Sequence, residues 1–184
     1  MRRLVLAAVL CATAGAAAAQ PTGKEVAPVT VFPKTAPPAL ARSYPAAGQA
    51  IPAGVLVLSV TFDQPMKREG FDIGPAAGGQ TPHCLKTPRL LDDNRTFVVL
   101  CTVESKTAYA LSLNATPQAA RAAGGFRNVA DNPAQPAALA FTTTDVTGPR
   151  NLEDALKAAG LRETLDVPVE DGMQAGPAAA VAAK

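Results

Sequence analysis

Residues 55–66, VLVLSVTFDQPM, contain the strongest structural signal in this sequence of 184 residues. After the apolar run at residues 55–58, apolar and polar side chains alternate from Leu58 to Asp63. A period of two is what a strand with one buried face requires. Pro65 ends the strand because its nitrogen has no hydrogen for further pairing. We therefore predict that Phe62 lies in the core, that Asp63 faces solvent and that Met66 folds back as a flexible gap-filler.

In three further stretches, residues 95–103, 108–114 and 138–145, apolar residues recur at every second position, and clusters of turn residues separate the stretches. Short strands separated by turns in this way are typical of an all-β sandwich. We expect one sandwich of about seven strands over residues 39–145, with Ser112 and Asn114 on its polar face. The residues predicted to form its core are Leu58, Val60, Phe62, Phe97, Val99, Tyr109, Leu111 and Phe141.

Two of the three cysteines, Cys84 and Cys101, lie at equal distances from the Asp92–Asp93 bond. The sequence LDDN at this midpoint favours a turn. A hairpin that turns there would place the two cysteines opposite each other, at a spacing that a disulfide tolerates. We predict this disulfide, and we expect the arm that contains Pro88 to be an edge strand or to carry a bulge.

The first twenty residues, MRRLVLAAVLCATAGAAAAQ, have the organisation of a secretory signal peptide. Two arginines precede a short apolar segment, which contains Cys11, and small residues precede Gln20. We expect residues 1–19 to be removed between Ala19 and Gln20, and the mature chain to be periplasmic or secreted. Residues 20–38 are rich in proline and predict an extended leader.

The charges exclude several classes of protein. The chain has 17 basic and 15 acidic residues, and the signal peptide carries two of the basic ones. The mature chain is then formally neutral, unlike a nucleic-acid-binding domain. No other apolar run is long enough to span a membrane. No catalytic sequence motif occurs, and the single histidine, His83, gives little support to a catalytic triad; we expect neither catalysis nor a cofactor.

Residues 146–184 lack the alternation of the sandwich. Asn151 can cap a short helix whose apolar stripe contains Leu152 and Leu156. We expect this helix to be loosely docked, or alternatively to bind a partner. The residues after it have no periodicity and predict a disordered tail.

Three stretches together resemble the bacterial Ig-like domain of the SbsA type, which occurs in S-layer and other exported proteins. They are residues 45–66, 94–114 and 125–145. Asp131 stands where that family usually has glycine. The matching residues are Pro45, Gly48, Pro52, Phe62, Asp63, Pro65, Met66, Tyr109, Asn132, Pro133, Phe141 and Thr143.

The resemblance implies an exported, non-catalytic module with a structural, adhesive or accessory role in the cell envelope. Its partner would be an envelope protein or surface component that the sequence does not identify. Tyr109 would be a core or corner residue whose hydroxyl bonds to the backbone.

The alternative is a periplasmic metal-binding protein, because copper-resistance proteins have a similar sandwich and strand end. His83, Met66 and Met173 are the copper ligands available, a poor supply for a metal that favours imidazole and thioether groups. The carboxylates and amides of residues 92–94 and 131–132 could serve calcium. We expect no metal site, since both segments are typical of plain turns. A small hydrolase or a polysaccharide-binding module is a third alternative. Stacking of sugars on exposed aromatic rings has little support, because Tyr44 and Tyr109 are the only tyrosines and the chain has no tryptophan.

Overall fold

The computed structural model describes residues 36–117, 119 and 124–169. The regular structure in this part of the chain is largely β, with one short C-terminal helix, as the sequence predicts. It contains eight strands rather than about seven. In chain order the elements are β1 (Leu40–Tyr44), β2 (Ala50–Phe62), β3 (Ile73–Pro75), β4 (His83–Cys84), β5 (Arg89–Leu90), β6 (Thr96–Val103), β7 (Ala108–Leu113), β8 (Ala137–Thr147) and α1 (Leu152–Ala158).

Two sheets face each other in a sandwich-like arrangement and share strand β2. In the first sheet β2 lies between β1 and β6, and β6 also pairs with β4 and β5. In the second sheet β7 lies between β3 and β8, and β8 runs parallel to the start of β2. Strand β2 leaves the second sheet at Gly54, where φ is 133° and a side chain would collide with the Pro149 carbonyl oxygen. Only glycine fits this crossing.

The main core fills the space between the two sheets. Each of the eight core residues predicted from the alternation is at most 4% exposed. The ring of Phe126 also lies here, with its centroid 5.3 Å from that of Phe62 and 4.8 Å from that of Phe97. Met66 is 3% exposed in the same core, where it fills the position that the sequence indicates.

Helix α1 covers the outer face of the first sheet. Asn151 caps the helix by accepting a hydrogen bond of 2.8 Å from the Asp154 amide. Leu156, which is 1% exposed, packs in an outer cluster with residues of β2 and β6. We name the following buried residues the outer cluster: Val57, Leu91, Val98, Ala155 and Leu156. The helix is therefore docked, and β2 and β6 are buried on both faces where it covers them.

The segment after the helix is fastened to strand β5. The guanidinium of Arg89 donates to the carbonyl oxygens of Leu165 and Val167, at 3.0 and 2.7 Å. Arg162 donates to the buried carboxylate of Asp166 at 2.7 Å. These contacts hold residues 161–167 beside the edge of the first sheet.

Three expectations differ from the structure in detail. Asp166 and Val167, expected to begin the disordered tail, are held by hydrogen bonds from Arg162 and Arg89. Asn114, expected on the polar face, is 5% exposed. Strand β7 ends one residue earlier, and a φ of 53° at Asn114 turns its side chain inward. Strand β8 continues to Thr147, two residues past the boundary expected at Asp145. The signal peptide, residues 20–35 of the leader and the tail from residue 170 lie outside the described residues.

Candidate functional site

The predicted disulfide is confirmed. Cys84 of β4 and Cys101 of β6 are paired residues of adjacent antiparallel strands, and their sulfur atoms are 1.99 Å apart. Farther along, Arg89 of β5 pairs with Val98. Arg89 lies five residues after Cys84, but their partners on β6, Val98 and Cys101, are only three residues apart. The two extra residues form a bulge over residues 85–88, which contains Pro88 as the sequence indicates.

An apolar cavity of about 220 Å³ opens beside this bulge. It lies where β3 at the edge of one sheet approaches β4 at the edge of the other. Val99 and Leu111 of the main core form its buried wall. Phe71 and Leu85, at its mouth, are 36% and 47% exposed. Lys86 and the disulfide-bonded Cys84 also line this disulfide-edge cavity.

A second cavity of about 200 Å³ lies on the other side of the bulge, between residues 85–87 and Pro168–Val169. Leu85 and Lys86 line both cavities. The bulge therefore stands between two apolar spaces, and Leu85 is the most exposed large apolar side chain on it.

A polar cleft of about 220 Å³ lies at the C-terminal end of helix α1. Along the outer face of β2, Val55 and Val57 pack against the helix region, whereas Ser59 and Thr61 lie beyond it. The cleft lies where the helix ends and leaves this polar half of the sheet uncovered. Its lining residues are Arg42, Ser43, Tyr44, Ser59, Thr61, Thr96, Ala159, Gly160 and Leu161.

Hydroxyl and acidic groups connect two sides of the polar cleft. Arg42 Nε donates to Thr61 Oγ1 at 3.3 Å, and Thr61 Oγ1 lies 2.9 Å from Thr96 Oγ1. Thr96 Oγ1 donates to Asp93 Oδ2 at 2.6 Å. Burial alone would raise the pKa of Asp93, but hydrogen bonds from Thr96 and Arg95 and the nearby charge of Arg42 lower it below its ordinary value. Burial raises the pKa of the Tyr44 hydroxyl.

The residues that follow β2, Asp63 and Gln64, have a structural role. Asp63 is exposed, as predicted, but its Oδ1 accepts a hydrogen bond of 2.9 Å from the Ala39 amide. Gln64 Nε2 donates to the Ala36 carbonyl oxygen at 3.0 Å, and its Oε1 accepts from Asn128 Nδ2 at the same distance. This stretch therefore joins the first strand to the loop that precedes β8.

The segments considered for calcium are turns in the structure. Asp93 accepts hydrogen bonds from the amides of Arg95 and Thr96, both at 2.9 Å. The carboxylate of Asp131 pairs with the ammonium of Lys67, whose hydrogen bond and charge hold the pKa of Asp131 below its ordinary value. Among the described residues, no group of three His, Cys, Asp or Glu side chains is placed to hold a metal ion.

The copper ligands considered from the sequence are not brought together. Met66 is buried in the main core, whereas His83 is exposed on β4, where it pairs with Thr102. Met173 lies outside the described residues.

Tyr109 forms a corner between β6 and β7. Its ring stacks on Phe141 with centroids 5.3 Å apart. Its hydroxyl oxygen accepts a hydrogen bond of 2.7 Å from the amide of Glu104, five residues upstream. This geometry resembles a tyrosine corner, in which a tyrosine hydroxyl bonds back to the backbone a few residues upstream.

The polar cleft was not predicted from the sequence. One signal for it exists: on the outer face of β2 the side chains change from valine at positions 55 and 57 to Ser59 and Thr61. That change marks where the apolar cover of the sheet ends. Tyr44 was considered only as one of two tyrosines, because nothing in the sequence places it beside the end of a helix more than a hundred residues later.

No family model matches this chain, and no curated protein matches it. In the part of the chain that the structure describes, no helix is long and apolar enough to cross a membrane.

Proposed function

We propose that the protein is an exported, non-catalytic Ig-like module with a structural, adhesive or accessory binding role in the cell envelope. The observation that carries this proposal is the Tyr109 corner. A buried tyrosine between the two sheets, whose hydroxyl accepts from an upstream amide, supports the Ig-like assignment by its geometry, at a position where the sequence resemblance also expects it.

The conformation of Asp131 also supports the resemblance to the SbsA type. Asp131 stands where that family usually has glycine, and its φ of 67° lies in the left-handed region. Glycine reaches this region without strain, and aspartate is one of the few other residues that visit it routinely. Aspartate at this position is therefore compatible with a family pattern that has glycine there.

The disulfide supports export. Disulfides persist in the periplasm and outside the cell, and they are rare in the reducing cytosol. Cys84 and Cys101 are bonded in the sandwich itself, so the fold carries its own indication of an oxidising compartment.

The disulfide-edge cavity is the surface that best suits a protein partner in this role. Phe71 and Leu85 are exposed at its mouth, and its inner wall is apolar. An apolar side chain from the partner gains the most by filling such a space, because it loses contact with water on all sides.

A pull-down from envelope extract with the mature chain tests this proposal. Leu85→Asp should abolish retention of the specific partner, because it places a charge at the mouth of the cavity. Val146→Asp is the matched control, since Val146 is 58% exposed at the end of β8, away from the cavity lining. Equal retention by both variants would contradict the assigned surface. Recovery of the protein from the cytosol with free thiols would contradict export.

A further inference from the structure

We propose that the polar cleft at the end of helix α1 binds the carboxylate of a small polyhydroxylated molecule, a sugar acid such as a uronate. This inference deepens the binding role proposed above and rests on it. The cleft and the disulfide-edge cavity share no lining residue, so the two sites can be tested separately.

Arg42 is the group that selects a carboxylate. Its Nε donates to Thr61, and its two terminal nitrogens make no hydrogen bond or ion pair with any other described residue. A guanidinium in this position presents a planar pair of donors, which match the two oxygens of a carboxylate. The bond from Nε to Thr61 holds the side chain against the sheet and so directs its free edge.

The remaining polar groups favour hydroxyls on the rest of the ligand. The hydroxyl groups of Tyr44 and Ser59 have no hydrogen-bond partner among the residues that the structure describes. These two residues are paired across β1 and β2, and Ser59 is only 7% exposed. A hydroxyl both donates and accepts, so ligand hydroxyls can satisfy both groups at once.

The size and the apolar wall of the cleft fit one sugar ring. Its volume of about 220 Å³ is below the range of about 300–1,000 Å³ for sites that take drug-sized ligands. Ala159 and Leu161 line the helix side of the cleft, and Tyr44 contributes an aromatic ring with one polar end. A ring with apolar C–H faces and polar edges is complementary to such a lining.

The acidic groups nearby do not occupy Arg42. Asp93 is close enough for the charge of Arg42 to lower its pKa, but its carboxylate accepts from two amides and from the Thr96 hydroxyl instead. Arg162, which also interacts with Asp93, pairs with Asp166. The free edge of Arg42 therefore remains the donor for an incoming anion.

The test is a titration of the full mature protein with sodium glucuronate, followed by amide chemical shifts in NMR spectra. The amides of Arg42, Ser59 and Gly160 should shift, and glucose at the same concentration should not move them. Arg42→Gln should weaken glucuronate binding by at least about tenfold, because it removes a charge-assisted pair of hydrogen bonds. Ser59→Ala should weaken it by a few-fold.

Lys106→Gln is the matched control, because it removes one positive charge at the other end of β6, where Lys106 pairs with Asp145. It should leave glucuronate affinity unchanged. Equal shifts with glucose, equal competition by inorganic phosphate, or equal loss in the Lys106 variant would overturn the sugar-acid assignment. If glucuronate does not bind while the partner is still retained through Leu85, this inference alone fails.

Discussion

Phe62 and Asp63 are neighbours on β2 but belong to opposite faces of the sheet. Phe62 is 2% exposed and packs against Phe97 and Phe126. Phe62→Ala should therefore lower the free energy of unfolding by about 3–5 kcal/mol, through a cavity in the main core. Asp63→Ala should cost about 0.5–1.5 kcal/mol, the value of its hydrogen bond to Ala39. Urea denaturation measures both; equal and large losses would mean that the strand register is misassigned.

Tyr109→Phe isolates the corner hydrogen bond, because it keeps the ring that stacks on Phe141. Removal of the hydroxyl leaves the Glu104 amide without its partner. The variant should lose about 1 kcal/mol of unfolding free energy. The hydrogen-exchange rate of the Glu104 amide should rise more than that of other amides. Hydrogen exchange by NMR measures this rate, and unchanged protection of Glu104 would contradict the role of the corner.

Residues in regular strands were predictable, and residues in special conformations were not. Phe62, Val99 and Leu111 follow a period of two, so their burial could be inferred from the pattern alone. Asn114 breaks the pattern because its left-handed backbone turns the amide into the core. There its Nδ2 donates to the carbonyl oxygens of Phe126 and Ala134. These partners lie 12 and 20 residues away, beyond the reach of local alternation.

Helix α1 shows how an element can be predicted while its packing is missed. The cap at Asn151 and the apolar stripe are visible in the sequence, but a stripe this narrow does not identify the surface on which the helix docks. Strand β6, against which the helix packs, carried the signal for docking. Its residues 97–100 are apolar at every position, which is typical of a strand buried on both faces. Val57 lies on the face of β2 opposite Leu56 and Leu58, and the structure buries it fully.

Leu156→Ala tests the docking of the helix. Leu156 is 1% exposed in the outer cluster, so its truncation should cost about 2–5 kcal/mol. Leu165→Ala is the matched control: its side chain is 49% exposed, and only its carbonyl oxygen is used, by Arg89. The control should cost less than about 0.5 kcal/mol. Equal effects in thermal unfolding would indicate that the helix is not part of the cooperative unit.

The same comparison bears on the expected domain boundary. We predict that a chain ending at Asp145 still folds cooperatively, but with a lower free energy of unfolding. Such a truncation would remove the last two residues of β8 and expose Val57 and Val98 of the outer cluster.

The segment after the helix should respond to acid through Asp166. The hydrogen bond and charge of Arg162 lower the pKa of Asp166 in the folded protein, against the opposing effect of burial. Its stabilising contribution is therefore present above the unfolded value of about 3.9, and it is lost as the pH falls through the lower folded value. Asp166→Asn should reduce stability at pH 7, and the gap to wild type should narrow towards about pH 3. A gap that widens in acid would contradict the ion pair.

At the scale of the whole molecule, the sequence indicated a sandwich but not where its surfaces would meet. The polar cleft combines β1, β2, β6 and the end of α1, and the disulfide-edge cavity combines two sheet edges with a bulge. Both sites arise from tertiary contacts between segments that are distant in sequence. Only the partial signals were visible: Pro88 for the bulge, and the change from valine to Ser59 on the outer face.

The disulfide is a covalent link between two strands of the first sheet. Cys84 and Cys101 are 17 residues apart, and closing a loop of about this size should stabilise by roughly 3 kcal/mol in the chain-entropy model. Replacing both cysteines with alanine should lower the free energy of unfolding by about 2–5 kcal/mol. Urea denaturation of this variant should match that of the reduced wild type, since both lose the same link.

The double variant also separates stability from binding. Cys84 lines the disulfide-edge cavity, whereas neither cysteine lines the polar cleft. Under conditions where the double variant is folded, it should still retain the protein partner, although more weakly, because Cys84 lines the cavity. Its affinity for glucuronate should remain unchanged. Two free thiols in the native exported protein would contradict the bond. A loss of glucuronate binding by the folded double variant would show that the two sites are coupled through β6, which contributes Val99 to the cavity and Thr96 to the cleft.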